Sequence, residues 1–169
     1  MILIALGANL EHPIHGAPVN SLVAALEILK ARGLKICFQS SWYKTAPVPI
    51  SDQPWFVNAV IAIETDLDAD ELLELLHSVE AEFGRVREIK WEARVLDLDL
   101  ISYDALVTEN REQTKGNVIP HPHMGERAFV LAPIIEILPD WRHPINDLTA
   151  QQMMTRLDGD QAFEVVPSS

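Results

Sequence analysis

The sequence predicts an α+β fold, with one domain over residues 1–169 in which helices pack on one face of a mainly antiparallel sheet. Segments with strand and helix periodicity follow each other in the order βαββαβ, and two more helical segments come after them. The chain has 169 residues, of which 48% are hydrophobic, so it can bury one sizeable core. It contains no internal repeat, low-complexity stretch or linker, and we therefore expect a single domain.

The first half of the chain contains three predicted strands and one helix. Ile2–Leu6 is a short apolar run that enters a turn, as a buried strand does. A helix ending at Gly33 follows, because apolar residues recur there at helical spacing: Leu22, Ala25, Leu26 and Leu29. Leu34–Tyr43 and Phe56–Thr65 alternate apolar and polar residues, which predicts strands. Residues 45–54 hold three prolines and therefore form a loop.

The second half begins with a helix and a fourth strand. Asp68 and Glu71 form a helix start of the capping-box type, and Gly84 ends that helix. Residues 85–93 form a polar, basic loop, and Val95–Ile101 alternates strictly, which predicts a strand. The apolar face of the helix comprises Leu72, Leu75, Leu76, Val79 and Phe83.

The last third is predicted to be mostly helical. Residues 102–118 are polar and rich in turn formers, which is typical of a hairpin excursion. Helical periodicity returns in Arg127–Leu138 and in Asp147–Leu157. The tail after Asp158 specifies no definite element.

Two aspartates, Asp97 and Asp99, interrupt the apolar fourth strand. Side chains alternate faces along a strand, so both carboxylates point the same way while Leu98 points into the core. Two strand residues span about 6.6–6.8 Å, a spacing at which two carboxylates converge on one cation or flank two. Hard oxygen ligands favour Mg²⁺, which commonly comes bound to phosphate. Two aspartates that simply face water are the alternative.

Basic residues are concentrated just before this strand. In a chain of formal net charge −12, such a local cluster indicates a small phosphorylated ligand rather than a nucleic acid, which needs a broad basic face. The arginine fork suits charge that is spread over several phosphate oxygens. Trp91 either stacks on a flat ring or anchors the loop, and a solvated charged loop is the alternative. The four basic residues are Arg85, Arg87, Lys90 and Arg94.

Further candidates lie on either side of this region. His121 fits a hydrogen bond to a phosphate, and Arg127 follows near a helix start. The amide of Asn58 offers donors and an acceptor to the edge of a heterocycle. Phe56 and Phe129 either sandwich such a ring or pack in the core. The chain has no glycine-rich phosphate loop of Walker type, so ATP would have to bind by another route.

These motifs resemble one known family. The segment Lys90–Ile101 resembles the signature of 6-hydroxymethyl-7,8-dihydropterin pyrophosphokinases, which belong to folate biosynthesis. The likeness extends along nearly the whole chain, and its segments stand in the family's order. The other matching residues are Ala5–Leu10, Thr45–Pro47, Asp52–Pro54, Phe56–Ala59, Gly84–Arg87, and Pro120 and His121 together with Arg127 and Phe129.

The resemblance implies a ferredoxin-like α+β fold and an enzyme that moves pyrophosphate from ATP to the pterin hydroxymethyl group, releasing AMP. It implies two Mg²⁺ ions held by Asp97 and Asp99, and a closing loop that carries the catalytic Arg85 and Arg94. The implied ATP-binding residues are Glu80, Arg87, Trp91, Leu100, His121 and Arg127. The implied pterin-binding residues are Thr45, Ala46, Val48, Phe56, Asn58, Trp91 and Phe129.

The chain departs from the family pattern at two positions. Glu92 stands where the family usually has Gly or Ala, and it adds a negative charge to the loop that closes on ATP. Ala46 stands where Pro is frequent. Three alternatives stay open, namely a small phosphohydrolase, an inactive relative that only binds ligand, and a plain interaction module; of these, Glu92 supports only the inactive relative.

The remaining expectations concern partners and location. The N-terminal apolar run is too short to span a bilayer and has no basic region before it, so we expect a cytoplasmic protein without a membrane segment. We further expect a monomer that acts on two small molecules, ATP and the pterin, and that binds no nucleic acid.

Overall fold

The computed structural model describes residues 1–47, 52–84, 95–112 and 117–167, which form six strands, four α-helices and one 3₁₀ turn. The strands are β1 Ile2–Ala8, β2 Lys35–Gln39, β3 Tyr43–Thr45, β4 Phe56–Glu64, β5 Asp97–Tyr103 and β6 Phe163–Val165. The helices are α1 Pro18–Ala31, α2 Ala69–Glu82, α3 Ala128–Ile137 and α4 Ala150–Met154, with the 3₁₀ turn at Met124–Glu126.

All described strands belong to one antiparallel sheet. Its order is β5-β1-β4-β3-β6, and β2 also pairs with β4, beside the part of β4 that β3 leaves uncovered. The core of the chain therefore follows the predicted βαββαβ order, with β2 and β3 together in the place of one strand. This confirms the predicted α+β fold with a mainly antiparallel sheet.

The sheet buries both of its faces. On one face, α1 and α2 cover a first core that includes Ile4, Leu6 and Leu98. On the other face, α3 and α4 cover a second core built around Leu3, Val60, Ile101, Leu131 and Ile134. The prediction of helices on one face was therefore wrong, because β1 and β4 are apolar on both sides and need two covers.

Besides shifts of a few residues at strand ends, three elements differ from their prediction. The predicted strand Leu34–Tyr43 is divided into β2 and β3, since Ser40 leaves the ladder and its hydroxyl accepts the N–H of Val60 at 3.0 Å. The predicted helix Asp147–Leu157 is reduced to α4, which starts at a capping box of Thr149 and Gln152. The tail contains an unpredicted strand, β6.

The start and the end of α2 agree with the prediction. The N–H of Glu71 donates to Asp68 Oδ1 at 2.8 Å, and Glu71 Oε2 accepts the N–H of Asp68 at 2.9 Å. After α2, Gly84 has φ 84°, a backbone conformation that a residue with a Cβ adopts at a cost. In the described part of the chain, no helix is long and apolar enough to cross a membrane.

Candidate active site

Four strand ends meet at one edge of the sheet. Because the strands are antiparallel, β1 and β3 end where β4 and β5 begin. The register places Gly7 opposite both Asp97 and Asn58, and Asn58 opposite Tyr43. Residues directly opposite each other share a face of the sheet, so Asp97, Gly7, Asn58 and Tyr43 form a row across it. This row lies on the same face as the second core, which α3 covers.

The two aspartates stand at one end of this row. Asp97 and Asp99 are half-buried on the same face, whereas Leu98 and Leu100 are buried in the first core. The predicted orientation of both carboxylates is therefore confirmed. The described residues contain no group of three or more His, Cys, Asp or Glu that could hold a metal ion. Two carboxylates suit Mg²⁺, which keeps water and phosphate oxygens as its other ligands.

An amide stands two strands away from the aspartates. Asn58 is 6% exposed, and its Nδ2 donates to Thr45 Oγ1 at 2.6 Å. A Cβ on Gly7 would lie 2.7 Å from Asn58 Oδ1, so the amide occupies space that only glycine leaves open. Neighbouring strands are about 4.8 Å apart, which puts the backbones of Asp97 and Asn58 about 10 Å apart with no side chain between them.

Aromatic residues flank the amide. Phe56 pairs with Thr45 at the sheet edge and is half-buried. Phe129 is half-buried on α3, and the Arg127 guanidinium carbon lies 5.8 Å from the centre of its ring. Ala46 continues β3, and its N–H donates to the carbonyl of Ala162 at 3.1 Å. The structure thus brings three predicted pterin-binding residues, Thr45, Phe56 and Asn58, to the same end of β3 and β4.

His121 has a defined charge and tautomer. Burial lowers its pKa to about 4, and the neighbouring Arg127, His123 and Arg111 act in the same direction, while Asp97 opposes them. The ring is therefore neutral at pH 7. Its Nδ1 accepts the N–H of His123 at 3.1 Å, so the proton sits on Nε2 and is available as a donor. A neutral donor beside arginine suits an anionic ligand.

Glu80 is buried and contacts the backbone of β5, whereas a residue that binds ATP at the surface would be exposed. Its side chain is 1% exposed, and Oε2 accepts the N–H of Leu98 at 3.0 Å. This bond fixes the backbone of β5 midway between the two aspartates. Leu100 is 5% exposed with its side chain in the first core, which leaves its backbone as the part open to an adenine contact. Contacts of both residues with ATP stay predictions.

Several site predictions fall outside the described residues. They concern Val48, Arg85, Arg87, Trp91, Glu92 and Arg94.

Sequence reasoning missed residues that brace the site. Asn9 is 3% exposed, and its Nδ2 donates to Gln53 Oε1 at 3.1 Å and to the Pro54 carbonyl at 3.0 Å. These bonds tie the turn after β1 to the proline-rich loop. Glu136 on α3 accepts from the Tyr43 hydroxyl at 2.8 Å, which holds β3 against α3. Both pairs are remote in sequence, and only the polar turn at Asn9 gave a signal.

Comparisons with known proteins agree on one family. The family model described as 7,8-dihydro-6-hydroxymethylpterin-pyrophosphokinase (HPPK) matches residues 3–139. A 2-amino-4-hydroxy-6-hydroxymethyldihydropteridine pyrophosphokinase of Methylorubrum extorquens is 40% identical over 157 residues, covering 92% of each chain. The protein of the same name from Haemophilus influenzae is 42% identical over 138 residues, covering 81% of each.

Longer proteins contain a similar region. The folate synthesis bifunctional protein of Arabidopsis thaliana is 37% identical over 137 residues, which are 81% of this chain and 23% of that protein. The crystal structure of a Plasmodium falciparum HPPK-DHPS triple mutant superposes with a TM-score of 0.73 over 92% of this chain and 42% of that chain. Its sequence identity is 13%, so this likeness supports the fold alone.

Proposed function

The chain belongs to the 7,8-dihydro-6-hydroxymethylpterin-pyrophosphokinase family, and from this premise we propose that it transfers pyrophosphate from ATP to the hydroxymethyl group of 6-hydroxymethyl-7,8-dihydropterin. The observation that carries the proposal is the row Asp97–Gly7–Asn58. It offers oxygen ligands for a phosphate-bound cation at one end and a heterocycle-binding amide at the other.

The reaction needs no nucleophile from the protein. The pterin hydroxyl oxygen forms a bond to the β-phosphorus of ATP, and the bond from that phosphorus to the oxygen bridging to the α-phosphate breaks. AMP leaves with the electron pair, and the hydroxyl proton passes to solvent. The task of the protein is to hold the two substrates in line and to neutralise charge.

Asp97 and Asp99 would hold Mg²⁺, and we infer two ions because two carboxylates on one strand face can flank a pair. When bound, the cations supply neutralisation of charge on the phosphate oxygens. Glu80 keeps β5 in register, so that both carboxylates face the substrates.

The pterin side is formed by strand ends. Thr45 and the space at Gly7 orient Asn58, whose amide would hydrogen-bond to the edge of the pterin ring. Phe56 and Phe129 would contact the faces of that ring. Ala46 would contribute its backbone. Val48 and Trp91 keep the roles that the family resemblance implies.

The nucleotide side lies next to Asp97. His121 would donate from Nε2 to a phosphate oxygen, and Arg127, the residue just before α3, would add a charged fork. The family roles of Arg85, Arg87 and Arg94 as further phosphate contacts complete the proposal. The substrates are small molecules, and we infer a monomer that binds no nucleic acid, in line with the net charge of −12.

The test is AMP release from Mg-ATP with and without the pterin, for the wild type and for Asp97→Asn. We expect pterin-dependent AMP from the wild type and a loss of at least about 100-fold in kcat/KM for the variant. Asp104→Asn is the matched control, because it removes a carboxylate at the opposite end of the same strand, where Asp104 pairs with the N-terminus at 3.2 Å. A wild type without pterin-dependent AMP overturns the proposal.

A further inference from the structure

Arg127 lies at the junction of the 3₁₀ turn and α3. It follows Glu126, the last residue of the turn, and precedes Ala128, the first residue of the helix, with an extended backbone of φ −116° and ψ 106°. At such a position a short side chain with an oxygen atom usually accepts an N–H from the first turn of the helix. An arginine side chain has only donors. The start of α3 therefore depends on an acceptor from elsewhere in the chain.

The side chain of Gln161 supplies this acceptor from a position 33 residues beyond Ala128. Its Oε1 accepts the N–H of Ala128 at 2.8 Å, and its Nε2 donates to the carbonyl of Glu126 at 2.7 Å. The two bonds hold the peptide groups on both sides of Arg127. Because an amide has its acceptor at one end and its donors at the other, a single orientation of Gln161 makes both bonds. The amide thereby fixes the backbone from which the Arg127 side chain extends.

Gln161 is itself held by the strand that carries the proposed pterin side. The carbonyl of the next residue, Ala162, accepts the N–H of Ala46 at 3.1 Å. Strand β6 then begins, and its Phe163 lies opposite Thr45 on β3. Gln161 thus connects β3, on the proposed pterin side, to the start of α3, on the proposed nucleotide side.

The position of the Arg127 backbone matters because the side chain is long. Burial lowers the pKa of His121 most, and the charge of Arg127 is the next cause, so the two side chains lie close together. A small rotation at the backbone of Arg127 moves the guanidinium further than it moves the Cα atom. A displacement of about 1 Å at a group that positions a substrate can lower the rate by about 100-fold.

We propose that Gln161 is a positioning residue that acts through Arg127, because it holds the guanidinium where a phosphate oxygen of ATP would meet it. This inference rests on the proposed function, in which Arg127 contacts ATP. The amide of Gln161 bonds to the backbone on both sides of Arg127, so its effect on ATP passes through that residue. A role of Gln161 in folding alone is the alternative that the experiment has to exclude.

The experiment is a double-mutant cycle of Gln161→Met and Arg127→Ala, measured by calorimetry as the Kd of the magnesium complex of a non-hydrolysable ATP analogue. Met has nearly the shape of Gln but makes neither hydrogen bond. In the wild-type background, Gln161→Met is expected to raise this Kd about fivefold or more. In the Arg127→Ala background it should change the Kd by less than about twofold, because the residue through which Gln161 acts is already missing.

Gln151→Met is the matched control, because Gln151 is an exposed glutamine on α4. It should leave the Kd within about twofold of its parent in both backgrounds. A second measurement varies each substrate separately in the AMP assay. Gln161→Met should raise the KM for Mg-ATP, whereas the KM for the pterin should change by less than about twofold.

Equal increases of the Kd in both backgrounds overturn the proposal, because Gln161 would then act on the fold and not through Arg127. An unchanged Kd for Gln161→Met overturns it too, and so does a rise confined to the KM for the pterin. Arg127→Ala with the Kd of the wild type leaves Gln161 nothing to act through and has the same consequence. A wild type that releases no pterin-dependent AMP shows instead that the proposed function itself is wrong.

Discussion

Burial, assisted by neighbouring positive charge, lowers the pKa of His121, and this makes stability depend on pH. Its pKa is about 4 in the folded state and near its ordinary value of 6.5 in the unfolded chain. Between these values the unfolded chain binds a proton that the folded ring does not bind. The free energy of unfolding therefore falls as the pH drops from 6.5 towards 4.

His121→Asn should remove this dependence. We expect the variant to lose less stability than the wild type between neutral pH and about pH 5, measured as the shift of the urea midpoint. His143, whose pKa is also lowered by burial, contributes with the same sign in both proteins and cancels in the comparison. Equal losses in both proteins would contradict the assigned pKa of His121.

Gly7 is the residue whose missing side chain leaves space for Asn58 in the proposed pterin side. In Gly7→Ala the new Cβ would approach Asn58 Oδ1 to 2.7 Å, so the amide must rotate away and weaken its bond to Thr45. We expect the KM for the pterin to rise about tenfold while the KM for ATP changes little. Initial rates with each substrate varied separately measure this.

Gly159→Ala is the control for that measurement, because a Cβ there meets no atom within 4 Å. An equal rise in both KM values for Gly7→Ala would mean that the substitution disturbs the whole sheet edge rather than the amide.

At the level of the element, α2 has a capping box at its start, and Glu80 near its end hydrogen-bonds to β5 of the candidate site. Its capping box at Asp68 and Glu71 lies at the end remote from Gly84 and from the strand ends that form the site. Asp68→Ala should lower the free energy of unfolding by about 1 kcal/mol, as the loss of an N-cap does. The kcat/KM should stay close to that of the wild type.

Urea unfolding and the AMP assay together measure this prediction. Asp66→Ala, which removes an exposed carboxylate just outside the helix, is expected to leave stability nearly unchanged. A large loss of activity in Asp68→Ala would instead show that fraying at the start of α2 reaches β5 through Glu80.

The elements differ in how far their sequence predicts them. α2 has a capping box, a regular apolar face and a terminal glycine, so local signals alone place both of its ends. β6 has three exposed residues and no burial pattern, and it is a strand only because its backbone pairs with β3. The break between β2 and β3 likewise depends on a bond of Ser40 to β4. Such long-range pairing leaves no periodic trace in the segment concerned.

For the whole molecule, the sequence predicts the sheet and the orientation of Asp97 and Asp99 better than the rest of the candidate site. Alternation alone puts Asp97 and Asp99 on one face, and the register confirms it. Because β1 and β4 are apolar on both faces, the sheet needs a second layer of helices, and the prediction of helices on one face of the sheet lacked it. The bonds of Asn9 to Gln53 and Pro54, and of Tyr43 to Glu136, join segments remote in sequence, so only the folded chain reveals them.

The pairing of β6 with β3 has a consequence in time. Phe163 lies opposite Thr45, so the outer edge of β3 stays unpaired until residue 163 has been synthesised. At about 5–20 residues per second, this delay after Thr45 is made lasts about 6–24 s. During translation, both aspartates and the nucleotide side exist before β3 is covered. The proposed pterin side of the site thus lacks its β6 neighbour during this interval, and it presents a strand edge open to other chains.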